Sequence, residues 1–161
     1  MANIIKVGMA DVKTCTAPDG VTTLGLGSCV GVAIRDPIKK VGGLAHIMLP
    51  SSQEIKSNEN PYKFADTGID ELVKMIIKLG GNKAKMEAKL AGGAQMFAFQ
   101  NKNMQMRVGD RNVLACKKKL QSLGIRVLAE DCGDSYGRTV IFYPETGAYV
   151  IRSVGKPEKT I

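Results

Sequence analysis

Apolar and polar positions alternate over short stretches in the first third of the chain. Ile4 to Val7, Asp11 to Thr16 and Val21 to Leu24 are broken by turn residues, notably Pro18-Asp19-Gly20. A period of two between turn signals predicts β-strands. Two longer apolar runs, Cys29 to Ile34 and Val41 to Leu49, flank Asp36-Pro37-Ile38-Lys39-Lys40. Runs with so little polar interruption predict a hairpin of two largely buried strands. Pairing them would bring Cys29, at the start of one strand, near the stretch from His46 to Leu49 in the other.

Residues 50–63 are polar and without period. They predict a loop, of the kind that either connects elements or covers a functional site. Thr67-Gly-Ile-Asp70 has the form of a capping box. Ile69, Leu72, Val73 and Ile76 then recur at helical spacing until Gly80-Gly81 supplies a stop. A second amphipathic helix is predicted from near Asp110, with Val113, Cys116, Leu120 and Leu123 on one stripe and Gly124 as its end. Further strands are predicted at 86–91, 125–129, 138–143 and 148–154, the last two joined by Pro144-Glu-Thr-Gly147. Many strands mostly in hairpin order with two main helices give an α+β class, with mainly antiparallel or mixed sheets. Residues 1–161 are expected to form a single domain ending in a flexible tail over 155–161.

Composition narrows the chemistry. A chain of 161 residues can bury one substantial core. No apolar stretch approaches the length of a membrane span and the N-terminus has no cleavage-site pattern, so a soluble cytoplasmic protein is expected. Cys15, Cys29, Cys116 and Cys132 are then thiols rather than disulfides. With one histidine and no CxxC pair, no metal and no cofactor are expected. The net charge of +8 would suit nucleic acid. Against that, the densest basic run, Lys117 to Lys119, falls on a solvated helix face, and aromatic residues for base stacking are few. A positive surface that steers acidic protein partners is the preferred reading, with no membrane insertion.

The segment with chemical promise is Thr23-Leu-Gly-Leu-Gly-Ser-Cys29. A cysteine after a glycine-rich turn can meet amide N–H groups aimed at one point, so Gly27 and Ser28 are candidates for the turn of an oxyanion hole. A phosphate loop fits less well, because the spacing is not GxxxxGK[ST]. A cysteine in an apolar run is ordinarily a packing residue, and so it is read for Cys15 and Cys116. Cys132, in Asp131-Cys-Gly-Asp-Ser-Tyr-Gly137, marks a turn. A nucleophilic thiol needs a base, and His46 is the only imidazole available. A third group must fix that imidazole's tautomer. Thr23 is the candidate, through its hydroxyl or its backbone carbonyl.

Thr23 to Val32 followed by Gly42 to Pro50 resembles the signature of the CheD chemotaxis family. Blocks at 62–69, 91–97, 109–112 and 146–147 resemble the family's later motifs, so the likeness covers nearly the whole chain. At Asp134 a second glycine would match the pattern better. The resemblance implies a protein-glutamine deamidase that converts glutamine side chains of methyl-accepting chemoreceptors to glutamate and releases ammonia. It implies Cys29 as nucleophile, His46 as base and Thr23 as the orienting residue. It also implies a fold like the catalytic domain of the cytotoxic necrotizing factor toxins, and a CheC-type phosphatase as a partner in some species. A non-catalytic binding protein for receptors or that phosphatase is the alternative.

Overall fold

The computed structural model describes residues 2–54, 59–95 and 107–161. Part of the expected loop, 55–58, and the end of the 91–97 block lie outside them. Two five-stranded sheets and two helices form three layers. The strands are β1 (Ile4–Val7), β2 (Val12–Thr16), β3 (Gly20–Leu26), β4 (Val30–Asp36), β5 (Val41–Ile47), β6 (Glu87–Gly92), β7 (Arg126–Cys132), β8 (Arg138–Tyr143), β9 (Ala148–Arg152) and β10 (Lys159–Thr160). The helices are α1 (Ala65–Lys78) and α2 (Val108–Ser122). The first sheet has the order β1-β3-β8-β9-β10 and the second β2-β5-β4-β6-β7.

The chain is α+β, as its pattern predicts. Hairpin order, however, holds for only three pairs, β4–β5, β8–β9 and β9–β10, and two pairs are parallel: β1 with β3, and β6 with β7. The second pair is joined by a crossover through α2, because parallel neighbours cannot be closed by a tight turn. Period-two side-chain alternation divides the core in two. One face of β4 and β5 sends Val30, Val32, Ile34, Ala45 and Ile47 toward α1 and α2. The opposite face sends Ala33 and Leu44 toward Val21, Leu26, Val140 and Phe142 of the first sheet. Burial on both faces explains the uninterrupted apolar runs of this hairpin.

Three expectations are corrected. Thr67 does not cap α1: the helix begins at Ala65, Phe64 holds the capping position without a side-chain bond, and the Thr67 hydroxyl donates to Pro61 O. Phe64 itself is buried, bridged to Leu49, so packing sets that helix start. α2 begins at Val108, two residues before Asp110. Residues 155–161 are not a free tail throughout. Lys159 and Thr160 pair with Ile151 and Val150, and Lys89 Nζ donates to Ile161 O at 2.8 Å.

Candidate functional site

The β3–β4 connection and the middle strands of both sheets converge at one end of the inter-sheet layer. In β3, Thr23 and Leu26 are both buried although three residues apart, which a regular strand forbids. The register explains it: Thr23 pairs with Val140 and Leu26 with Arg138, so β3 carries one extra residue there. Gly25, at φ +68, provides the backbone conformation for this bulge. The glycine-rich segment therefore bends the strand before the turn over Gly27, Ser28 and Cys29.

His46 lies in β5 opposite Gly31 of β4 and is fully buried. Cys29 precedes Gly31 by two residues, which puts it on the same face of the sheet and diagonal to His46, a spacing of roughly 7–8 Å between backbones. Thr23 reaches this face from the opposite sheet. Its Oγ1 lies 2.7 Å from His46 Nδ1 and 2.8 Å from Val7 O. A hydroxyl has one proton, and a carbonyl oxygen can only accept. Thr23 therefore donates to Val7 O and accepts from Nδ1–H. The neutral imidazole then carries its lone pair on Nε2, a buried atom with no hydrogen-bond partner among the described residues. It is the hydroxyl of Thr23, not its backbone carbonyl, that meets the imidazole.

Burial lowers the pKa of His46, against a smaller upward pull from the Asp11 carboxylate. Burial thus favours the neutral ring. Burial raises the pKa of the Cys29 thiol, while its own N–H, bonding to the sulfur, works the other way. Cys29 is only partly buried. Burial raises the other thiols as well, Cys15 up to about 11 and Cys132 up to about 12, and complete burial takes Cys116 higher still.

The turn before β4 is gripped from behind. Ala94 N donates to Gly27 O and Gly93 N to Cys29 O, each at 2.8 Å. A Cβ on Gly92, at φ +109, would fall 2.2 Å from Cys29 O, so only glycine permits this approach. Asn112 Nδ2 donates to Ser28 O at 3.0 Å. With these carbonyls engaged, the Ser28 and Cys29 amides have no backbone partner among the described residues. The expected oxyanion turn, Gly27 and Ser28, thus sits beside the thiol. Asp134, where glycine was expected, adopts φ +58, a region Asp tolerates, and its carbonyl accepts from Gln95 N. Asn112 was missed in the sequence; the signal for it is a polar residue on the inward stripe of α2.

Among the described residues no group of three or more His, Cys, Asp or Glu side chains is placed to hold a metal ion. No helix among them is long and apolar enough to cross a membrane.

Known proteins resemble this chain along its whole length. The family model described as CheD chemotactic sensory transduction matches residues 48–153. That match begins after Cys29 and His46, but the alignments to relatives span both. The "Probable chemoreceptor glutamine deamidase CheD" of Lachnoclostridium phytofermentans is 58% identical over 161 residues, covering 100% of both chains. The "Chemoreceptor glutamine deamidase CheD" of Halalkalibacterium halodurans is 51% identical over 162 residues, again covering 100% of both. A third relative so named, from Caldanaerobacter subterraneus, is 49% identical over 99% of each chain. With a model match over most of the chain and full-length relatives at this identity, the protein belongs to the CheD family.

Proposed function

We propose that this chain is a chemoreceptor glutamine deamidase, which hydrolyses glutamine side chains of chemotaxis receptors to glutamate through a thioester on Cys29. The observation that carries the reading is the buried Thr23–His46 hydrogen bond of 2.7 Å, which leaves Nε2 as a base on the face that Cys29 shares. The names of the full-length relatives supply the substrate class.

In this reading the resting pair is neutral, a thiol and an imidazole, so the proton moves during attack rather than before it. Sγ bonds to the amide carbon while His46 Nε2 takes the thiol proton. The carbonyl oxygen becomes an oxyanion held by the Ser28 and Cys29 N–H groups. The adduct collapses as the C–N bond breaks and the proton on Nε2 passes to the nitrogen. Ammonia leaves and a thioester remains. Water, deprotonated by the same Nε2, then attacks the thioester carbon. The C–S bond breaks, the proton returns to sulfur and glutamate is released. One water is consumed and one ammonia formed, with no change of oxidation state.

The protein works in the cytoplasm on the receptors' helical bundle in this proposal, and binds a CheC-type phosphatase where the cell has one. Mass spectrometry of a receptor co-expressed with wild type or Cys29→Ala is the test. Wild type should convert glutamine to glutamate and the variant should not. Conversion by Cys29→Ala above the uncatalysed background would sink the nucleophile assignment. Receptor regulation that survives in Cys29→Ala would favour a binding role instead.

A further inference from the structure

A polar side chain behind the site is used by none of these steps. Asn112 is fully buried on the inward stripe of α2, four residues before Cys116 and eight before Leu120. An apolar residue would fit that stripe. Its Nδ2 donates to two carbonyls, Ser28 O and Met48 O, each at 3.0 Å. Its Oδ1 is buried with no hydrogen-bond partner among the described residues. An orphaned buried acceptor is unfavourable. What the side chain supplies is therefore its pair of donors.

The two acceptors belong to the two halves of the site. Ser28 O lies in the same peptide unit as the Cys29 N–H, and Met48 follows His46 by two residues. In a trans peptide the C=O and N–H point in opposite directions. Drawing Ser28 O toward α2 turns the Cys29 N–H away from α2. The flanking carbonyls of Gly27 and Cys29 are held by backbone groups of Gly93 and Ala94, which leave the middle peptide free to rotate. Asn112 fixes that peptide and ties it to Met48, the residue just past the end of the base's strand, from a third element.

We infer that Asn112 is a positioning residue that sets the plane of the Ser28–Cys29 peptide, and with it the Cys29 N–H as oxyanion donor, against the strand that carries His46. The inference rests on the deamidase reading above. Asn112→Leu keeps the branched framework and Asn112→Ala removes it; both delete the donors. In each, kcat on purified receptor should fall about ten- to a hundredfold, the range a small misplacement of reacting groups produces. KM should stay within about twofold, because a fully buried side chain touches no substrate. The pH profile of Cys29 alkylation by iodoacetamide should shift upward in both variants, as the thiolate loses its own N–H.

A lowered melting temperature with wild-type kcat per folded molecule and an unchanged alkylation profile would overturn the inference. If neither variant folds, the wild-type protein decides. Both Asn112 side-chain amide protons should exchange slowly with deuterium and show hydrogen-bond couplings to the Ser28 and Met48 carbonyls by NMR. Exchange at the rate of an exposed amide would overturn the clamp. Alkylation and NMR read Asn112 without turnover, so failure of the clamp and failure of the deamidase reading, tested with Cys29→Ala, are distinguishable.

Discussion

The single proton of the Thr23 hydroxyl goes to Val7 O, and this one bond sets the tautomer of His46 on the neighbouring sheet. Thr23→Val keeps the shape and removes both bonds, leaving the ring free to turn and Nδ1 unpaired. Its kcat should fall about a hundredfold, whereas Thr23→Ser should keep most activity. A mild effect of Thr23→Val would return the orienting role to the backbone. His46 also makes a pH prediction with a definite sign. Its folded pKa lies below the ordinary 6.5 because burial disfavours the cation. Between those two values the unfolded chain binds more protons than the folded one, so stability rises with pH across that window. It is full above about pH 6.5 and declines as the pH falls below it. With one histidine in the chain, the window belongs to His46. Urea denaturation of wild type should show this loss between about pH 7 and pH 5.5, and His46→Gln should flatten it. Equal slopes for the two proteins would contradict a buried, neutral ring.

Elements bring the site's groups together, and one close joint is between α2 and the residues that follow β6. A Cβ on Gly109 would lie 2.5 Å from Gly93 O and 2.6 Å from Ala94 O. The same two residues supply the N–H groups that grip the Cys29 turn. Gly109→Ala should therefore push the start of α2 outward, costing about 1–3 kcal/mol in urea denaturation and lowering kcat as well. Leu114→Ala, on the exposed side of the same helix, should change stability by no more than about 0.5 kcal/mol. If the two variants behaved alike, the close approach would not matter. Helix α2 was legible from Cys116 and Leu120, both buried as expected. Its start was not, because Gly109 is helical here for the sake of a backbone contact that its own sequence neighbours do not encode. The strand at 159–160 left no signal for a similar reason: two exposed polar residues pair along an edge that β9 provides.

At the scale of the molecule, the charge of +8 is unevenly neutralised. Lys119 bridges to Asp70 at 2.9 Å and joins the two helices, and Lys117 bridges to Glu130 at 2.7 Å. Arg107, exposed at the start of α2, stands at the end of the helix that packs against the Cys29 turn. Long-range attraction of an acidic helical partner is screened within about 10 Å at 0.1 M salt, whereas apolar contact is little affected. Raising ionic strength should therefore lower kcat/KM on intact receptor much more than kcat. Salt-independent kcat/KM would leave shape and apolar contact to carry recognition.

By itself the sequence determined the α+β class, most strands and the cores of both helices, and the resemblance to the family's motifs singled out Cys29, His46 and Thr23 together. These follow from periodicity and residue type, which are local, or from a pattern of motifs along the whole chain. Only the tertiary structure decided which atom of Thr23 meets the imidazole, because Thr23 and His46 lie on different sheets and a one-residue bulge sets the facing side chain. It alone decided that Asn112 joins Ser28, in the turn beside Cys29, to Met48, just past the end of β5, residues 84 and 64 positions away along the chain. Contacts between such distant positions depend on how three layers pack, and no local pattern of apolar and polar residues encodes that distance.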